Sequence, residues 1–231
     1  MKKSNLSNGA IKSNGPVNHN SNGLKEVPVK HENNGSSSIV ADGHALHPVV
    51  VELEPLFRKV LIKLGVDVNS EDFKETPLRH AKALVELCIP APFKFTTFKN
   101  RCGYKEMILV KNIPYYSTCP HHLLQINGSA VVAYIPADEY VGLSKIPRTV
   151  TDSARGMKTQ EQITMDIASF IQKKLAPKGV AVFVEGAHSC MRCRGTKMEE
   201  SSTETFEYLG IFETDFNRRA EFLNRINNRK K

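Results

Sequence analysis

The sequence predicts an α+β fold, because helical and strand periodicities occupy separate blocks of the chain. Three observations carry this. Leu53, Leu56, Phe57, Val60, Leu61 and Leu64 recur at helical spacing. Stretches rich in β-branched residues follow, from Met107 to Val110, Ala130 to Ile135 and Val180 to Val184. Between the last two lies a long amphipathic segment, with Ile163, Ile167, Phe170, Ile171 and Leu175 on one stripe.

Residues 1–45 are rich in Asn, Ser and Gly, with Ser-Asn-Gly at 7–9, 13–15 and 21–23. Apolar side chains are too sparse there to offset chain entropy, which predicts a disordered tail. His19, His31, His44 and His47 lie in or beside it at irregular spacing, which suits solvated histidines better than a metal site. The folded domain is expected over residues 46–231, opening near Pro48 with helices that occupy about 48–88. Gly65 supplies a stop for the first helix. Thr76-Pro77 opens the second, with Thr as N-cap and Pro at the first helical position. Arg79 and Lys82 share one face of that helix, and taken alone they read as a solvated face. Asn127-Gly128 is expected to turn a hairpin. Pro177-Lys178-Gly179 ends the long helix, and a last helix is expected from about Asn217 to Ile226.

The net charge of +8 is shared unevenly: residues 1–45 carry five Lys against three acids, so +6 belongs to the folded part. A basic domain suits an anionic partner, either nucleic acid or a phosphorylated small molecule. No basic stripe interleaves with aromatics and Trp is absent, which argues against nucleic acid. No apolar run approaches the roughly 20 residues that span a bilayer. The N-terminus has no apolar signal core, so a soluble, cytoplasmic protein without a membrane partner is expected. Five cysteines is an odd number, which favours metal ligation or free thiols over a fully paired disulfide framework.

The chemistry concentrates in Cys119-Pro120-His121-His122 and His188-Ser189-Cys190. Thiolate and imidazole together suit zinc. Cys119, His122 and Cys190 make three ligands and leave a fourth position for water, the count of a catalytic site. Cys193 offers a rival reading, because Cys119-x-x-His122 with Cys190-x-x-Cys193 is the pattern of a closed Cys₃His structural site. An extended 188–194 segment would point Cys190 and Cys193 to opposite faces. A redox role for Cys190-x-x-Cys193 lacks the expected βαβ context. Spacing alone leaves the open and closed zinc sites level. His121 and His188 favour the open one, since hydrolysis needs groups that move protons and a closed staple does not.

These motifs, with Glu75-Thr76-Pro77-x-Arg79-x-Ala81-Lys82, Val141-Gly142-Leu143-Ser144-Lys145-Ile146-Pro147-Arg148, Gln160-Glu161 and Arg194-Gly195, closely resemble type I GTP cyclohydrolase from about residue 50 to about 226. The resemblance implies the tunnelling fold, an antiparallel sheet with long helices on one face, here over about 104–228. It implies a toroidal homodecamer, two pentameric rings with active sites at subunit junctions. It assigns zinc to Cys119, His122 and Cys190, and leaves Cys193 out. It implies hydrolytic opening of the imidazole ring of GTP, loss of formate and closure to 7,8-dihydroneopterin triphosphate. His188 matches the proton donor, His121 a second active-site histidine and Ser144 a hydroxyl at the ribose end. Glu161 and Gln160 match the guanine-recognition positions. Lys145, Arg148 and Arg194 match a triphosphate clamp, and Arg79 and Lys82 match residues reaching in from a neighbouring subunit. One position departs: Pro120 stands where the family usually has Glu, so zinc binding is expected to persist while catalysis slows or stops at a ring-opened intermediate. The segment from Val85 to Tyr104 is also shorter than is common, which reshapes a peripheral loop. The alternative reading is a zinc-bound paralogue of little turnover that serves as a subunit or regulator.

Overall fold

The computed structural model describes residues 40–41 and 44–227. The Asn/Ser/Gly-rich stretch lies outside the described residues, apart from Val40–Ala41 (β1) and His44–Ala45 (β2), which pair antiparallel. The first helix, Pro48–Lys63 (α1), begins with Pro in its first turn and His47 Nδ1 accepting from Val49 N at 3.3 Å. It ends where Gly65 takes a left-handed φ of 82°. The second, Thr76–Cys88 (α2), starts one residue earlier than expected. Glu75 holds the cap position and Thr76 is already helical. The two helices pack on each other. Of the stripe on α1, Leu56, Val60 and Leu64 remain exposed, Leu64 at 73%.

A small antiparallel pair, Thr97–Lys99 (β3) with Glu139–Val141 (β6), flanks the main sheet. That sheet is antiparallel throughout. Its strands are Ile108–Thr118 (β4), Gln125–Ile135 (β5), Gly179–His188 (β7) and Thr203–Gly210 (β8), adjacent in that order. β4 and β8 are its edges. Lys145–Ala154 (α3) and Gln160–Leu175 (α4) cover one face. Ile163, Ile167 and Ile171 of α4 are fully buried against Ala130, Val132, Tyr134 and Val182. Each such isoleucine contributes about 1.5–3 kcal/mol relative to exposure.

The expectation of helices on one face needs correction. Ala130 to Ile135 are buried without a break, because β5 alternates between two covered faces. Val131, Ala133 and Ile135 meet Phe212, Phe222 and Ile226 of Ile211–Thr214 (α6) and Phe216–Asn227 (α7). The last helix therefore packs onto the second face.

Asn127-Gly128 is not a turn. Both residues lie inside β5, where Gly128 pairs with Tyr115 and Gly186. Glycine is needed there because a Cβ would run into the carbonyl oxygen of Glu185. The true connection is Cys119 to Leu124. A bulge in β4 also shapes the site: the register shifts between Val110 and Ile113, and Asn112 adopts a φ of 57°. One extra residue rephases the strand. Ile108 and Val110 face α3 and α4 before the bulge, and Ile113 and Tyr115 face them after it.

Candidate metal centre and active site

Because of that rephasing, Cys119 follows Ile113 and Tyr115 into the core beneath α3 and α4. Its N–H donates to Leu124 O at 2.8 Å and its carbonyl accepts from Leu123 N at 2.9 Å. Leu123 closes the turn at a left-handed φ of 55°. His121 and His122 are displayed on it, exposed to solvent. Nδ1 of His122 lies 3.8 Å from Cys119 Sγ and that of His121 4.0 Å.

The second contribution comes from β7. His188, its last residue, pairs with Ile126 of β5 and so brings the following helical turn, Ser189–Arg192 (α5), beside the Cys119 turn. Cys190 lies on α5. Cys119, His122 and Cys190 offer ligand atoms that all lie within 4.8 Å of one another. One tetrahedral ion spans such a group, and two sulfurs with one imidazole nitrogen suit zinc. Burial pushes the Cys190 thiol pKa up, and the adjacent Cys119 thiol adds to the shift. A bound cation reverses that preference by stabilising both thiolates.

Segment 188–194 is not extended, as one sequence argument required. Cys193 instead ends α5, exposed, with Sγ donating to Ser189 O at 3.0 Å. Among the described residues it does not join the ligand group.

Gln160 and Glu161 open α4, which Thr159 caps by accepting from Gln162 N at 3.3 Å. The two side chains part company. Glu161 is exposed and its charge favours the protonated form of His188, although burial is the larger effect and lowers the His188 pKa overall. Gln160 is only 2% exposed. Its Nε2 donates to Thr203 O at 2.7 Å and Val184 O at 3.1 Å, and its Oε1 lies 2.8 Å from His188 Nε2. Nothing in the sequence signalled that burial, because the partners come from β7 and β8.

Arg194 lies close enough to Cys190 to favour its thiolate. Ser144 sits at the N-cap of α3 without a side-chain capping bond, and Lys145 and Arg148 follow on that helix, which packs on β4 and α4. Arg79 and Lys82 are on α2, against α1 and β4. The metal group reaches solvent through His122, while Cys119 is buried and Cys190 half-buried, and Leu123 beside it is 58% exposed. A basic cavity of about 440 Å³, lined by Lys99, Arg101, Lys105 and Lys178 among others, lies at the opposite end of β7.

The sequence profile of GTP cyclohydrolase I matches residues 53–227, which contain every residue of this group. The chain belongs to the GTP cyclohydrolase I family. GTP cyclohydrolase 1 of Sulfurihydrogenibium sp. (strain YO3AOP1) is 42% identical over 180 residues, spanning 78% of this chain and 96% of that protein. The family member from Brucella abortus (strain S19), also GTP cyclohydrolase 1, is 42% identical over 184 residues, 78% of this chain and 86% of its own. Among solved structures, an archaeosine synthase QueF-like protein in the apo form aligns with a TM-score of 0.37 at 19% identity, covering 45% of this chain and 93% of that one. A dihydroneopterin aldolase from Burkholderia thailendensis, bound to guanine, aligns with a TM-score of 0.32 at 13% identity, covering 48% and 96%. Family membership rests on the sequence relatives.

Proposed function

We infer that this chain is a zinc-dependent hydrolase that converts GTP and water to 7,8-dihydroneopterin triphosphate and formate, the first step of pterin biosynthesis. The observation that carries the reading is the convergence of Cys119, His122 and Cys190 beside His188 and Glu161, in a chain of this family. Zinc held by those three ligands supplies an activated water at neutral pH.

The remaining roles fall to the chain's own side chains. Glu161 is exposed at the start of α4, where its carboxylate can accept from guanine N1–H and the 2-amino group. His188, kept neutral by burial and drawn toward the charged form by Glu161, is suited to give and take a proton at the imidazole ring of the base. His121 serves as a second proton-transfer group and Ser144 as a hydroxyl at the ribose end. Lys145, Arg148 and Arg194 hold the triphosphate through charge-assisted bonds. Arg79 and Lys82 complete that clamp from a neighbouring subunit.

The exposed α1 stripe and the edges of β4 and β8, which pair with no further strand among the described residues, support assembly of copies into a ring, a homodecamer of two pentamers with sites at the junctions. We place the enzyme in the cytoplasm, where its cysteine ligands stay reduced. Among the described residues no helix is long and apolar enough to cross a membrane.

The test is incubation of the zinc-loaded full chain with GTP, followed by oxidation of the product to fluorescent neopterin. Neopterin with one equivalent of formate is expected. A ring-opened formamide would locate a block after the zinc chemistry, and Pro120→Glu should then restore neopterin. GTP left intact by zinc-loaded protein would overturn the reading in favour of a non-catalytic subunit or regulator.

A further inference from the structure

Gln160 is the most constrained polar side chain near the site, and its hydrogen bonds define where protons must lie. Thr164 Oγ1 donates to Gln160 O at 2.8 Å, so the hydroxyl of Thr205, 2.6 Å from Thr164 Oγ1, donates to that oxygen in turn. Thr205 Oγ1 is left as an acceptor, 3.3 Å from Gln160 Nε2. The carbonyls of Val184 and Thr203 can only accept. Three acceptors therefore converge on Nε2. Reversing the amide would set Oε1 against all three oxygens, so the orientation is forced by the network. Oε1 must then face His188 Nε2 at 2.8 Å, and an amide oxygen requires a donor there.

We propose that Gln160 is a positioning residue that fixes the tautomer of His188, holding the ring proton on Nε2 and leaving Nδ1 as the nitrogen that exchanges a proton with the substrate. The proposal rests on the proton-transfer role given to His188 above, and replaces the direct guanine contact expected for Gln160. An Nε2–H donates to Oε1 whether the ring is neutral or charged, so Gln160 keeps its partner while a proton arrives at Nδ1 and leaves again. The site is built around this contact. A Cβ at Gly186 would overlap Gln160 Oε1, so glycine at that position of β7 leaves the amide its place.

The first measurement is the magic-angle-spinning ¹⁵N spectrum of the histidine-labelled full chain near pH 8.5, with the His188 signals assigned by their loss in His188→Gln. A protonated Nε2 and a bare Nδ1 are expected. A ring protonated at Nδ1 overturns the proposal, and this readout needs neither activity nor a variant of Gln160.

The second measurement is steady-state kinetics. Gln160→Met, which loses the acceptor at similar length, should lower kcat by about 10²-fold with GTP KM and zinc content little changed. A raised KM at unchanged kcat in Gln160→Met would instead make Gln160 a direct base contact and sink the proposal. If wild type makes no neopterin, the proposed activity fails while the tautomer can still be read from the spectrum.

Discussion

Cys190 and Cys193 stand three positions apart, yet only Cys190 faces His122, because α5 turns the second thiol outward to Ser189 O. Cys190→Ser should therefore strip most of the zinc and the activity, while Cys193→Ser keeps both, as metal analysis by mass spectrometry and neopterin formation will show. Equal loss in the two variants would restore the closed four-ligand site. Tyr115 poses a different question. It is buried, its hydroxyl has no hydrogen-bond partner among the described residues, and burial, followed by the charge of Glu185, raises its pKa well above the ordinary value. A raised folded pKa means that this group's contribution is intact below about pH 10 and is lost as pH rises beyond it. Tyr115→Phe removes an unpaired buried hydroxyl, so stability at pH 8 should hold or rise by up to about 1 kcal/mol. The alkaline decline in urea midpoint should become shallower. An unchanged decline would assign it to Tyr134 and Tyr208, whose pKa values burial also raises.

The elements show what periodicity can and cannot report. The stripe Ile163, Ile167, Ile171 and Leu175 revealed α4, since local spacing and burial agree there. The α3 helix was not expected, because Pro147, Thr149 and Val150 weaken its local propensity, and burial of Ile146, Val150 and Ala154 supplies what propensity does not. The clustering of Cys119, His122 and Cys190 was legible because these residue types are chemically rare together, whereas the Gln160 network depends on strand neighbours distant in sequence. Asn127-Gly128 misled for a related reason: glycine marks either a turn or a crowded strand, and only the neighbouring strand decides. Here the crowding comes from Glu185 O, with Gly186 Cα 2.9 Å from the position a Cβ would take. Gly128→Ala should therefore cost about 1–3 kcal/mol, roughly 3–10 °C in melting temperature. An unshifted melt would mean that the strands separate freely at this point, contrary to the packing.

At the scale of the whole molecule, the single chain leaves several large apolar side chains exposed. Leu56 and Val60 of α1 and Leu64 at its C-cap are more than half exposed, as is Leu123 beside the metal group, and among the described residues neither sheet edge pairs with a further strand. A ring of copies would cover these surfaces and bring the α2 cations of one chain to the metal group of another. Subunit mixing tests that arrangement directly. Arg79→Ala and His188→Ala chains should each be inactive alone. If a site draws His188 from one chain and Arg79 from its neighbour, unfolding and reassembling the two variants at equal amounts leaves about one quarter of the junctions with both residues intact. Activity should then return to about one quarter of wild type, while sedimentation shows the same assembly for all three samples. If Arg79 served the site of its own chain, every site in the mixture would still lack one residue. No activity would return, and the neighbour's share in the triphosphate clamp would have to be abandoned even if the ring itself were present.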